Sequence, residues 1–189
     1  LVWMDYRLAL LFTVILPLLL LIGSLMQQNE AILRLLTIYW RTASLLLITL
    51  YLLIASIPLS FLSGFLAQVL IPISLWFWVD LNEEIREQPR NPLKLAFSAW
   101  RWAVTLYSSL GALALLPFLQ CSFSQPALAS RFCQVWLDAP LLYQQIIHPK
   151  TSPRFLGLMG FLGLLAYVVA FSYFVLVKLG RQGRSAIEQ

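Results

Sequence analysis

Few side chains in this sequence can do chemistry. It holds one histidine, two cysteines and eight carboxylates in 189 residues. The densest acidic group is Asp80, Glu83, Glu84 and Glu87, spaced so that one side of a helix carries all four. Such a face can take a cation or a basic partner. A carboxylate-bridged pair of metals would need a Glu-x-x-His pattern, and no histidine is near. Arg86 and Arg90 lie within one turn and can offset the acids. The simpler reading is a solvated face, with the four carboxylates a candidate contact surface for a partner.

His148 stands beside Pro149 in a polar stretch. Imidazole is a general metal ligand, and chlorophyll magnesium is within its range. Haem sites of the electron-transfer type use two good axial ligands, which one histidine does not supply. Zinc, iron–sulfur and copper sites need clustered ligands, also missing here. His148 therefore reads as a surface loop residue. Nucleophilic catalysis needs a base beside the nucleophile, and no such set can be assembled from the sequence. Walker and dinucleotide-binding glycine patterns are absent, and Gly180-Arg181-Gln182-Gly183 is tail. No catalytic residue, metal ligand or cofactor is predicted.

The elements that must position these residues are set by composition. Of the chain, 60% is hydrophobic and 11% charged, against about 25% charged in an ordinary soluble domain. A soluble fold could not cover so much apolar side chain, whereas lipid tails solvate it. The expected architecture is all-α, a polytopic transmembrane helix bundle of about five spans in a single domain. The net charge of +5 and pI near 9.5 then speak of topology and lipid headgroups rather than nucleic acid.

A bilayer core of roughly 30 Å takes about 20 residues of helix. Span one is expected from Leu8 to Met26, kinked at Pro17. It lacks a cleavage site and reads as a retained span. The sequence opens on Leu1, which leaves room for a preceding stretch. Asn29 caps the next helix, whose first turns, with Arg34, Tyr39, Trp40 and Arg41, are expected at the interface before a span from Thr42 to Ile57. Pro58 to Gly64 reads as a turn. Span three follows from Phe65 to Val79, its helix continuing into water through Glu87. Asn91-Pro92 starts span four, Ala99 to Leu119. A long polar connection ends at Ser152-Pro153, which opens span five, Phe155 to Val177.

No span so drawn contains a buried Asp, Glu, Lys or Arg, which ion-coupled carriers usually use. Gln68 is the clearest polar side chain inside a span, and an interhelical hydrogen bond is its expected role. Trp100-Arg101-Trp102 can hold a lipid headgroup or a partner carboxylate. The plainer reading is an interface anchor with Arg101 snorkelling to headgroups.

Placing the C-terminus inside puts nine basic residues inside and four outside, a positive-inside bias that makes the C-terminus cytoplasmic. Cys121 and Cys133 then share the outer connection and are expected to form a disulfide, there being no competing cysteine. Within the spans, Gly157, Gly160, Gly163 and Ala166 recur every three residues. Small residues let membrane helices approach closely, so these four form a candidate helix-packing or partner face.

Four stretches resemble a small integral membrane family of cyanobacteria known only as a domain of unknown function. They are Leu1-Val2-Trp3 with Asp5-Tyr6-Arg7, the run Leu36 to Arg41, the run ISLWFWVDLNEEI from Ile73 to Ile85, and Ser172 to Gly180. The resemblance covers nearly the whole chain and brings no catalytic motif. It implies a thylakoid or plasma membrane, with association with photosystem II components during assembly. The expected function is that of a non-enzymatic accessory or assembly protein binding membrane subunits, with lipid, chlorophyll or carotenoid between helices compatible with that role. The alternatives are a small membrane transporter or channel, and a lipid- or pigment-modifying membrane enzyme.

Overall fold

The structure is a computed structural model that describes residues 2–123 and 125–186. Leu1 of the opening motif and residues 187–189 lie outside the described residues. Among the described residues, five helices are long and apolar enough to cross a membrane: Val2–Met26, Glu30–Ile54, Leu59–Trp76, Pro92–Ser122 and Pro153–Arg181. They are called spans one to five. Spans two and three pack together most closely, span four lies against span three, and span five lies against span two.

The start signals work as the sequence suggests. Asn29 accepts a hydrogen bond from the Ile32 amide at 3.2 Å, Asn91 from the Lys94 amide at 2.6 Å, and Ser152 from the Phe155 amide at 3.3 Å. Each satisfies an amide that the first helical turn leaves without a partner. Spans one and two end without glycine. Gln28 and Ser56 take φ of 52° and 53°. The amides that follow them reach back five residues, Asn29 to Ser24 O and Ile57 to Leu52 O. This is a left-handed helix stop.

Span one is not simply kinked. Residues Leu10–Ile15 form a π-helical segment just before Pro17. Proline has no amide hydrogen to offer the carbonyl of Thr13, four residues back, or of Phe12, five back. Both carbonyls find donors on other spans. Tyr39 Oη donates to Thr13 O and Trp100 Nε1 to Phe12 O, each at 2.8 Å.

Several sequence expectations need correction. Span one starts at Val2, not Leu8, so Asp5 and Arg7 belong to it. The interfacial turn over Arg34 to Arg41 is continuous helix, and Tyr39 is fully buried against Trp100 at 5.0 Å between ring centres. The turn expected at Pro58 to Gly64 is helix from Leu59 on. Its Ser60, Ser63 and Gly64 are buried because small residues bring spans two and three together. Span three stops at Trp76, Trp78 is extended, and a separate helix, Val79–Glu87, begins. Leu81 and Ile85 of this inner helix are buried, which pins it across the bundle instead of letting it run into water.

The described part of the long connection is also structured, with short helices Gln125–Leu128, Arg131–Gln134 and Asp138–Ile147. Its core holds Cys121, Leu128, Cys133 and Leu137 with Leu53 and Phe61 of spans two and three. This is the loop side. The opposite, basic side carries the inner helix and the described end of the chain.

Candidate functional site

The four acidic residues of the inner helix do not act alike. Asp80 lies in the first turn and accepts from Ser185 Oγ at 3.1 Å and from the Ala186 amide at 2.8 Å. Arg184 Nε donates to Phe77 O at 3.0 Å, and the Val79 amide to Arg184 O at 3.3 Å. Asp80 is thus the clasp by which the C-terminal segment is tied to the start of this helix. Glu83, Glu84 and Glu87 face solvent opposite buried Leu81 and Ile85. No ion pair joins them to Arg86 or Arg90 among the described residues, against the expected neutralisation. Of the four carboxylates on this helix, Glu83, Glu84 and Glu87 offer the free face.

The glycines of span five form its seat on span two. A Cβ on Gly157 would lie 2.3 Å from Ala55 Cβ. One on Gly160 would lie 3.2 Å from the Leu52 nitrogen, and one on Gly163 3.3 Å from Ile48 Cγ1. Ala166 is exposed. The first three residues therefore face inward, and the last does not join them.

Ionisable groups do enter the spans, contrary to the sequence reading. Tyr107 Oη on span four donates to Asp5 Oδ1 at 2.9 Å. The Gln68 side chain of span three is buried, and its Oε1 has no partner among the described residues. A Cβ on Gly111 would lie 3.2 Å from the Gln68 amide, so the glycine makes room for it. Asp5 was missed because span one was drawn too short.

The Trp100-Arg101-Trp102 motif is split three ways. Trp100 is buried and bonded to span one, Trp102 is exposed, and Arg101 lies 3.9 Å over the Trp76 ring. Arg101 Nη1 also bonds Asn82 Oδ1, while Asn82 Nδ2 donates to Trp76 O at 3.3 Å. The guanidinium thus packs at the break after span three.

On the loop side, His148 Nε2 lies 3.2 Å from Tyr51 Oη, and Tyr143 is edge-on to the imidazole at 6.0 Å. Burial pushes the Tyr143 phenol above its ordinary range, and nearby Tyr51 adds to the shift. His148 is half-buried and already engaged rather than a free loop residue. Cys121 and Cys133 form a disulfide with Cα atoms 6.1 Å apart, and both are buried. No group of three or more His, Cys, Asp or Glu suited to a metal occurs among the described residues.

A family described as Protein of unknown function (DUF3177) matches residues 1–187. No curated protein and no solved structure matches the chain.

Proposed function

The chain belongs to this family, and from that premise we propose that it is a non-enzymatic accessory or assembly protein that binds other membrane subunits. The observation that supports this is the uneven use of span five. Only 6% of its apolar stretch is buried. Its contact with the bundle is made by Leu156, by Gly157, Gly160 and Gly163 close against span two, and by Phe174 against Trp78. Its exposed surface carries Phe161, Leu165 and Val169 one turn apart. In this reading a partner span lies there.

The proposed setting is a thylakoid or plasma membrane of a cyanobacterium, with photosystem II components as partners and the C-terminus in the cytoplasm. The sequence resemblance supports the setting, and the nine-to-four distribution of basic residues supports the orientation. A tagged chain recovered in mild detergent should bring photosystem subunits with it. Replacing Phe161, Leu165 and Val169 by alanine should lower that recovery while the protein's own level holds. Unchanged recovery would reject the surface, and a lone chain free of other subunits would reject the role. In sealed membrane vesicles with the cytoplasmic face outward, added protease should remove a reporter fused to the C-terminus, and protection of the reporter would reject the orientation.

A small transporter is the second reading, favoured by the Asp5–Tyr107 contact inside the bundle. Solute flux into liposomes that Asp5→Asn abolishes would choose it over the first. Lipid, chlorophyll or carotenoid between helices fits either reading, and the absorption spectrum of the purified protein reads the pigments directly.

A further inference from the structure

Among the described residues, Arg101 is a charge inside a span with no opposite charge within ion-pair distance. Its guanidinium has five donors. Nη1 meets Asn82 Oδ1, and Nε is buried with no acceptor. No carboxylate lies within ion-pair distance of it among the described residues. The C-terminal end of span three, at Trp76, offers about half a negative elementary charge through its helix dipole. That dipole attracts the cation but does not neutralise it.

The side chain's surroundings say what can supply the rest. Span four begins on the basic side at Pro92, and helical side chains lean toward the helix start. Arg101 therefore leans toward the headgroups of that leaflet. Toward the bilayer centre, Trp102, Thr105, Leu106 and Ser109 line a shallow groove on the outer surface of span four. Its wall is held in place, since Trp76 Nε1 donates to Thr105 Oγ1 at 2.9 Å and the Trp76 and Trp102 rings lie 4.7 Å apart. Trp102 is nonetheless 63% exposed. A cation short of an anion thus lies one helical turn before Thr105 of this apolar groove on span four.

We propose that this corner binds one anionic phospholipid, its phosphate on Arg101 and an acyl chain along Thr105, Leu106 and Ser109. The inference is independent of the assembly role. Charge complementarity selects an anionic headgroup over a zwitterionic one.

The test uses the full chain in nanodiscs of phosphatidylcholine with and without phosphatidylglycerol, read by thermal unfolding and by native mass spectrometry. Phosphatidylglycerol should raise the unfolding midpoint and leave one lipid bound. Arg101→Gln should weaken that binding at least tenfold, and Arg41→Gln, an exposed arginine of span two, should leave it unchanged. Arg101→Gln also loses the Asn82 contact, so Ser109→Phe provides the second arm. It fills the groove, leaves Arg101 and Asn82 alone, and should cause the same loss. Equal stabilisation by phosphatidylcholine, or by inorganic phosphate added to phosphatidylcholine discs, would overturn the proposal. So would full lipid retention in Ser109→Phe, which would leave Arg101 to a protein carboxylate.

Discussion

Spans three and five are both built around small residues, yet they sit in the molecule in opposite ways. Span three has neighbours on two sides, and 44% of its apolar stretch is buried; for span five the figure is 6%. Span five is nevertheless the more apolar of the two. In water the apolar element would be the buried one. In lipid the ordering reverses, because tails solvate leucine as well as a protein interior does. What marks the inside here is small and polar side chains. Ser60, Ser63 and Gln68 of span three are buried, and Thr49 Oγ1 meets Ser63 Oγ at 2.9 Å across to span two.

The sharpest way to break this contrast is to enlarge the seat of span five. Gly157→Leu should cost about 3 kcal/mol or more, since overpacking a tight contact typically costs 1–3 kcal/mol and here two backbones meet. The loss should shrink through Gly160→Leu to Gly163→Leu, whose neighbour is the flexible end of Ile48. It should vanish at Gly180→Leu, where nothing lies within 4 Å. Membrane abundance and unfolding midpoint of the four variants report the order. Equal losses across the series would mean that span five is not seated by these glycines.

Removing the disulfide tests the other span. Cys133→Ser opens a link of sequence separation 12, for which the chain-entropy account gives about 3 kcal/mol as an upper figure. Its cluster includes Phe61. Hydrogen exchange should therefore rise at the start of span three and stay unchanged at Gly157 to Gly163. Thiol labelling of the denatured wild-type protein should find no free cysteine until reductant is added. Free thiols in protein taken from its native membrane would refute the link.

A double-mutant cycle of Thr49→Val and Ser63→Ala should give a coupling of about 0.6 kcal/mol, the size typical of hydrogen bonds between membrane helices. The smallest effect belongs to Ser56→Gly. It relieves a left-handed backbone position that disfavours a Cβ, and offsets that gain with a more flexible unfolded chain. The midpoint should move by less than that of Cys133→Ser, and upward.

Much of this arrangement was legible in the sequence, and the failures share a cause. Asn29, Asn91 and Ser152 could be read directly, because a cap depends on neighbours three residues away. The five apolar runs and the cysteine pair were equally plain. Pro58 to Gly64 misled because proline, serine and glycine signal a turn in water but close helix contact in lipid. Tyr39 and Trp100 misled because aromatic residues near a span end usually mark the interface. Here their polar atoms have buried acceptors, which only the path of span one creates. Asp5 and the lone guanidinium of Arg101 were hidden for a related reason. Their meaning depends on Tyr107, Trp76 and Asn82, far away along the chain.

The proline in span one also sets a timetable. The chain is made from its N-terminus, so Pro17 is finished before either of its remote donors exists. A carbonyl without a hydrogen bond in hydrocarbon costs several kcal/mol, and this span carries two. Tyr39 and Trp100 are 61 residues apart, about 3–12 s of synthesis at 5–20 residues per second. During that interval the Phe12 carbonyl still lacks its partner. Span one is therefore not settled in lipid until span four has been made. It needs water or an insertion channel beside it until span four has emerged.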